Sequence, residues 1–347
     1  MGGGMSAHEM EQAARRRSKT IDDGLQAERM REARTVRVLM LGLRGAGKST
    51  LAKQVRMIHE KGFADKEKAV YRDVVRQNVA SAVIGVLAEM EEQGVDLGTE
   101  ELRNTARSVK ERLRLPDSHK AIPDMRHTLT LLTSQKVLRD FMDSKMDVEI
   151  CQLNHYLFRS LDRILADTYS PSDYDILRVR QRTGGLSEIL FNFKGFEFRL
   201  CDVDGHSIVK KKWLQNFENV SAIIFTVALS SYDVKSKDHD KTEIHDALNV
   251  FKTVTGHSGF SRSPIVLFLN KKDIFQQKLK RVPLTIAFPD YRGTNDFADA
   301  CQFVQGKFES CLTHSPDRLN VNITNATDTP SIRSVFDSSL AVILEQA

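Results

Sequence analysis

The chain has 347 residues, of which 41% are hydrophobic and 28% charged, with a formal net charge of +5 at pH 7. That length accommodates two domains with separate cores, and the composition is that of a globular chain, not a disordered or fibrous one. The mild positive charge gives no ground for nucleic acid as a partner, and the cysteines (Cys151, Cys201, Cys301, Cys311) form no C-x-x-C pair or dense cluster, which fits free thiols in a reducing compartment and argues against disulfides or a structural zinc.

The chain opens with "MGGGMS", a match to M-G-x-x-x-[ST] that makes Gly2 a candidate for myristoylation once Met1 is removed. One acyl chain holds a membrane only marginally, so a second signal is required. The basic run Arg15, Arg16, Arg17 and Lys19 supplies one, each charge being worth about 1 kcal/mol near an anionic leaflet. The bland alternative is an unmodified glycine and a solvated helix face. Residues 7–34 are polar, charged and free of proline, with Leu25 and Met30 as sparse apolar points, and predict an exposed helix that needs a partner to bury anything. The longest apolar run, "VSAIIFTVAL" from Val220, falls far short of the ~18 residues of a membrane span. No apolar signal core stands at the N-terminus, and the expectation is a protein in the cytosol or facing it.

"TVRVLMLG" reads as a buried strand and "STLAKQVRMIH" as the helix after it. Between them "GLRGAGKST", Gly42 to Thr50, fits G-x-x-x-x-G-K-[ST], with Gly42, Gly47, Lys48 and Ser49 at the fixed places. Strand, glycine loop and helix is the setting in which loop amides and a helix N-terminus make a positive pocket for phosphates. From about Asp65 to Asp175 helix-period segments dominate: "DKEKAVYRDVVRQNVASAVIGVLAEMEEQG", "TEELRNTARSVKERL", "SQKVLRDFM" and "QLNHYLFRSLDRILADTY". Turn punctuation falls at "GVDLG", "RLPDS" and "AIPD", and the whole predicts a compact all-helical insert. After Arg178, "EILFNF", "FEFRLCD", "AIIFTVAL", "PIVLFLN" and "LNVNITNA" read as strands. Helices are expected near "KKKWLQNF", "KTEIHDALNVFKTV", "NDFADACQFVQGKFESCL" and "SIRSVFDSSLAVILEQ". This alternation predicts an α/β fold with a mostly parallel sheet flanked by helices, its first strand separated from the rest by the helical insert.

Two further signatures narrow the nucleotide. "CDVDG" gives D-x-x-G at a strand end, where Asp202 can serve a magnesium shell and the Gly205 amide a terminal phosphate. "FLNKKD" gives N-K-x-D from Asn270 to Asp273, and the carboxylate can accept from the N1 and N2 hydrogens of guanine, a donor pair adenine lacks. Each has a bland reading, a turn aspartate and a solvated loop, but three motifs in this order at strand ends favour guanine. An ATP-dependent kinase leaves "NKKD" and the insert unexplained.

On these motifs the chain resembles the α subunit of heterotrimeric G proteins over nearly its whole length. The stretch between Thr50 and Asp202 is far longer than in a small GTPase, and the insert accounts for the excess, as in that family. "DILRVRQRTGG" resembles the linker into switch I, "KKKW" ending at Trp213 the switch II helix, "LTIAFPDY" and "TNATDT" guanine-side segments, and "SIRSVFDSSLAVIL" the last helix. The resemblance implies a Ras-like P-loop GTPase domain (35–64 and 179–347), an inserted all-α domain (65–178) and an N-terminal membrane and partner helix (1–34). It implies a GTPase binding GTP or GDP with Mg²⁺: Lys48 bridges the β- and γ-phosphates, Ser49 and Thr183 coordinate the metal, and Asp202 acts through a metal-bound water. Arg180 is the arginine finger. Arg44, Gly45, Ala46, Gly47 and Thr50 line the phosphates with Gly42, Leu177 and Arg178 join from the linker, and Gly205 reaches the γ-phosphate. Asn270, Lys271 and Asp273 hold guanine, with the Ala326 amide near its O6. The implied partners are a βγ dimer, a downstream effector, the inner membrane leaflet at the cytoplasmic face of the plasma membrane, and a G protein-coupled receptor. The last is least supported, because the sequence stops at Ala347, short of the family's usual end.

The sequence also departs from the family pattern. Its loop carries Arg44 and Gly45 where the family has glycine and glutamate, and Asp202, Val203, Asp204, Gly205, His206 where it has D-V-G-G-Q. His206 thus stands in place of the glutamine that orients the attacking water. Losing one well-placed polar group at a transition state costs roughly 10²–10³ in rate, while a cis arginine is worth ~10³ or more in enzymes of this class, so slow hydrolysis is expected. Arg44 adds attraction for the γ-phosphate, displaces the water and Arg180, or pairs with Asp204 and closes the site; the sequence leaves these open. Lys210 and Asp246 keep opposite charges where the family pairs an arginine with a glutamate across switch II. The competing function is a pseudo-GTPase scaffold with a locked or empty nucleotide site.

Overall fold

The structure, a computed structural model, describes residues 7–60, 62–144, 149–181, 186–203, 220–236, 240–312 and 316–346. Helix α1 (Ala7–Glu32) leads into β1 (Thr35–Leu41), the glycine loop and α2 (Lys48–His59). The helical segment follows as α3 (Asp65–Glu92), α4 (Glu100–Arg114), α5 (Ser118–Ala121), α6 (Arg126–Ser134), α7 (Lys136–Asp143), α8 (Glu149–Arg159), α9 (Leu161–Ile164) and α10 (Asp173–Arg178). Then come β2 (Leu186–Phe193), β3 (Phe196–Val203), β4 (Ala222–Ala228), α11 (Glu243–Thr255), β5 (Ile265–Asn270), α12 (Lys272–Lys278), α13 (Phe297–Glu309), β6 (Leu319–Ile323) and α14 (Thr329–Gln346).

The strands form one six-stranded sheet in the order β2-β3-β1-β4-β5-β6. All neighbours pair parallel except β2, which folds back antiparallel on β3 with Phe193 opposite Phe196. The two residues between them, Lys194 and Gly195, both have positive φ (49° and 82°), the geometry that lets a two-residue hairpin follow the strand twist. Every residue of β5 and all but the last of β4 is buried, as expected for central parallel strands covered on both faces. Their alternation sorts the core in two. Leu39, Leu41, Ile223, Phe225, Leu267 and Leu269 meet α11 and α13 on one face. Val38, Met40, Ile224, Val266 and Phe268 meet Leu51 and Val55 of α2 and Phe336 and Leu340 of α14 on the other. A third apolar cluster belongs to α3–α9 and reaches Val179.

Several element boundaries differ from the sequence expectation for identifiable reasons. "QLNHYLFRSLDRILADTY" is not one helix. It breaks at Ser160, whose N–H is shared between the Tyr156 and Leu157 carbonyls. "AIPD" does more than turn the chain: Pro123 starts a 3₁₀ turn that feeds directly into α6, a helix not anticipated, because proline suits the first turn of a helix. "NKKD" opens a further helix, α12, with Asp273 in its first turn. The helix expected near "KKKWLQNF" lies outside the described residues.

Helix α10 is fixed by Asp175, which is fully buried. Its carboxylate accepts from Ser172 N at 2.8 Å and from two Arg163 nitrogens at 2.7 and 2.8 Å, while Ser172 Oγ accepts from Asp175 N in return. Burial alone pushes this carboxyl up, but the hydrogen bonds from Arg163, Tyr156 and Ser172 outweigh it and hold Asp175 well below the usual carboxylate range. A depressed folded-state value stabilises the fold fully above the ordinary carboxylate pKa and is lost as pH falls below it. Asp175→Asn is therefore expected to cost about 2 kcal/mol at neutral pH, discounted because Arg163 stays half in solvent. In urea denaturation the gap to the wild type narrows as pH drops below about 4.

Candidate functional site

Strand order reverses around β1, which the consecutive strands β3 and β4 flank on opposite sides, and ligands of open α/β sheets bind beyond the carboxyl ends of strands at such a point. The glycine loop sits there. Gly42 (φ 145°) presses so closely on β4 that a Cβ would lie 2.2 Å from the Thr226 carbonyl oxygen. Gly47 (φ 105°) is the N-cap of α2, and a Cβ on it would lie 2.1 Å from Asn270 Nδ2. Gly45 is also left-handed (φ 79°), but in open space. Lys48 is buried and turns back across the loop, its Nζ donating to the Gly42 and Leu43 carbonyls at 2.8 and 3.1 Å. No side chain caps the start of α2 and no acidic residue stands in its first turn, so its N–H groups and positive dipole end are presented to the loop. Ala46 is buried, Ser49 and Thr50 are half-buried, and Arg44 is exposed.

The base-side segments are tied to this loop by one side chain. Asn270, at the end of β5 and buried, donates from Nδ2 to the Ala46 carbonyl at 2.9 Å and accepts at Oδ1 from Ala326 N at 2.9 Å. The Ala326 N–H, expected beside a guanine oxygen, thus serves Asn270. Lys271 is left-handed (φ 63°, ψ 40°), which turns the chain into α12 and leaves Lys271 and Asp273 half-buried at its start. Beneath them Gln54 of α2, fully buried, donates to the Ala326 carbonyl at 2.8 Å and to Thr329 Oγ1 at 3.1 Å.

The linker after α10 comes alongside the same helix. Arg180 is exposed, but its backbone is gripped: N donates to Asn78 Oδ1 and its carbonyl accepts from Asn78 Nδ2, both at 2.9 Å. Leu177 is packed in the interior, and the Arg178 guanidinium lies over the Tyr174 ring at 3.8 Å. Lys53 of α2 donates to the carbonyls of Ile176 and Val179, both at 2.9 Å, and burial pushes its ammonium down to about 8. Asp202 is buried near the end of β3, paired in register with Met40 of β1. Asp246 lies half-buried in the first turn of α11. Gly2, Thr183, Asp204, Gly205, His206, Lys210 and Trp213 lie outside the described residues.

The structure therefore ties the loop Gly42–Thr50 to Asn270 and Ala326, sets Asp202 beside Met40 near the end of β1, and holds the Arg180 linker against α2 and α3. Sequence reasoning missed Lys53, Gln54 and Asn78. They lie inside helices, outside any short motif, and the only available signal was polar side chains at helix positions that face the interior.

A profile of the family described as G-protein alpha subunit matches residues 15–343. Among similar proteins, the guanine nucleotide-binding protein G(o) subunit alpha of Caenorhabditis elegans is 34% identical over 343 residues, 98% of this chain and 97% of the relative. The proteins of the same description from Locusta migratoria and Lymnaea stagnalis are each 34% identical over 346 residues, 99% of this chain and 97% of the relative.

The glycine geometry yields a graded expectation. Gly47→Ala meets both a forbidden contact and a left-handed backbone and should lower stability by more than about 2 kcal/mol. Gly45→Ala has only the backbone cost, about 1 kcal/mol. Denaturant titration of the two variants measures the difference.

Proposed function

The chain belongs to the G-protein alpha subunit family, and we propose that it works as a guanine nucleotide-dependent molecular switch of heterotrimeric G protein signalling, binding GTP or GDP with Mg²⁺ and hydrolysing GTP slowly. The observation that carries this reading is the Asn270 bridge, which joins the phosphate loop to the base-side loops at the mouth of β1, β5 and β6. A cradle for phosphates and a pocket for a purine are thereby held at one fixed spacing. In this reading Asp273 selects guanine and the α2 amides with Lys48 hold the phosphates.

The donor chemistry fits magnesium. Ser49 offers a hydroxyl at the start of α2 and Asp202 a buried carboxylate on the neighbouring strand, hard oxygen donors of the kind Mg²⁺ takes together with phosphate and water. Thr183 would complete the protein's share, and the ion would neutralise phosphate charge. Lys48 and Arg180 neutralise the charge that develops as the phosphoryl group transfers, work that is mostly positioning and electrostatics. His206 in the water-orienting place, with Asp204 two residues before it and Arg44 in the phosphate loop, makes turnover slow.

Residues 35–64 with 179–347 form the GTPase body in this proposal, and 65–178 an inserted helical domain; the apolar cluster shared by α3–α9 supports the division. Residues 1–34 are the arm for a βγ dimer and the inner leaflet, with Gly2 as the acylation point. Arg16, Arg17 and Lys19 are exposed along α1, and no helix among the described residues is long and apolar enough to cross a membrane. An effector and a receptor are the remaining partners.

Arg180→Ala is expected to slow single-turnover GTP hydrolysis by roughly 10³-fold, with binding of a non-hydrolysable analogue little changed; equal rates reject the finger. Asp273→Asn should erase the preference for GTP over ATP in competitive titration. If denatured wild-type protein releases no guanine nucleotide, and the protein takes none up with Mg²⁺, the scaffold reading replaces this one.

A further inference from the structure

The Arg180 side chain is exposed, yet the five residues that end in it, 176–180, are fixed from two directions. From α2, the helix that begins in the phosphate loop, Lys53 donates to the Ile176 and Val179 carbonyls. These carbonyls lie at the C-terminal end of α10, where backbone acceptors lack helical partners and the dipole favours a cation. From α3 in the helical segment, Asn78 satisfies both the N–H and the C=O of Arg180, and its Nδ2 also donates to the Val74 carbonyl, which fixes the amide on its own helix. Between the two grips Leu177 and Val179 are buried. Lys53 shows no carboxylate partner among its described contacts; its neighbours are those two carbonyls and the Tyr71 ring, 5.5 Å from Nζ. A buried ammonium held by carbonyls alone is costly to keep, and it earns its place by what it aligns.

We propose that Lys53 and Asn78 are positioning residues for GTP hydrolysis, which together clamp the backbone of residues 176–180 and aim the Arg180 guanidinium at the transferring phosphate. The inference rests on the arginine-finger reading above. It adds that the finger's placement is set jointly by the phosphate-loop helix and by the helical segment. With the backbone fixed in advance, less orientational freedom is lost when the guanidinium reaches the transition state, and a misplacement of an ångström costs up to about 10²-fold in rate.

The test is single-turnover GTP hydrolysis with Mg²⁺ by the full chain carrying Lys53→Met, Asn78→Ala or Arg180→Ala, and by each of the first two combined with Arg180→Ala. Binding of a non-hydrolysable GTP analogue and thermal denaturation are measured alongside. Lys53→Met and Asn78→Ala should each slow hydrolysis roughly 10- to 100-fold, leave analogue affinity within about threefold, and slow the Arg180→Ala protein no further. Asn78→Asp, which keeps the acceptor but sets an oxygen against the Arg180 carbonyl, should be as slow as Asn78→Ala. Lys53→Arg, which keeps donors, should recover part of the rate and stands in for Lys53→Met if that variant does not fold.

Hydrolysis at the wild-type rate in the Lys53 and Asn78 variants, with Arg180→Ala slow, overturns the clamp while leaving the finger intact. Losses that multiply with that of Arg180→Ala, or that track a loss of analogue affinity, overturn it in favour of a structural role. An Arg180→Ala protein as fast as the wild type removes the finger reading itself, and the clamp with it.

Discussion

One carboxamide holds the candidate site together. Asn270 uses Nδ2 on the Ala46 carbonyl and Oδ1 on the Ala326 amide, and it is buried at the end of the most deeply buried strand of the sheet. A buried amide that loses one partner leaves the other group unsatisfied in a medium that cannot solvate it, at a cost of about 1–3 kcal/mol. The three loops it joins therefore keep their spacing or lose it together. Gly47 reflects the same constraint from the other side: no side chain fits between the loop and Asn270 Nδ2. Gln54 repeats it one layer down, tying α2 to Ala326 and Thr329. Two buried carboxamides thus tie the loops of the site together through their backbone groups.

Much of this architecture is legible in the residues. Continuous apolar runs such as "IIFTVA" and "IVLFLN" have no polar face, and only a central parallel strand buries both sides. The glycine pattern of Gly42–Thr50 is legible because its geometry is demanding: left-handed φ values and a 2.2 Å approach to Thr226 admit nothing larger. Asp202, Asn270 and Asp273 announce themselves by position at strand ends. At two positions the local signal fell short. Pro123 looked like a stop and served as a start, while Ser160 gave no warning of the break it marks, because nothing local distinguishes a serine that continues a helix from one at which the carbonyl partner changes.

The supporting shell was illegible for a different reason. Lys53, Gln54 and Asn78 act on backbone groups 123, 272 and 102 positions away in the chain. A hydrogen bond to a carbonyl leaves no trace in the identity of its acceptor residue, since every residue has one. Ile176, Val179 and Arg180 could each be other residues without altering the atoms that Lys53 and Asn78 touch. Such contacts become visible only when the fold brings the segments together.

Two attachments of the chain differ in kind. Helix α1 meets the sheet through Arg31, whose guanidinium reaches the Glu197 carboxylate at 2.9 Å with the arginine 65% in solvent. Lys53 meets its partners through neutral carbonyls under cover. Mobile ions weaken exposed opposite charges and scarcely reach a shielded ion–dipole contact. Ionic strength thus acts unevenly on this molecule, slackening the hold of the N-terminal arm on the sheet while the linker beside α2 keeps its place.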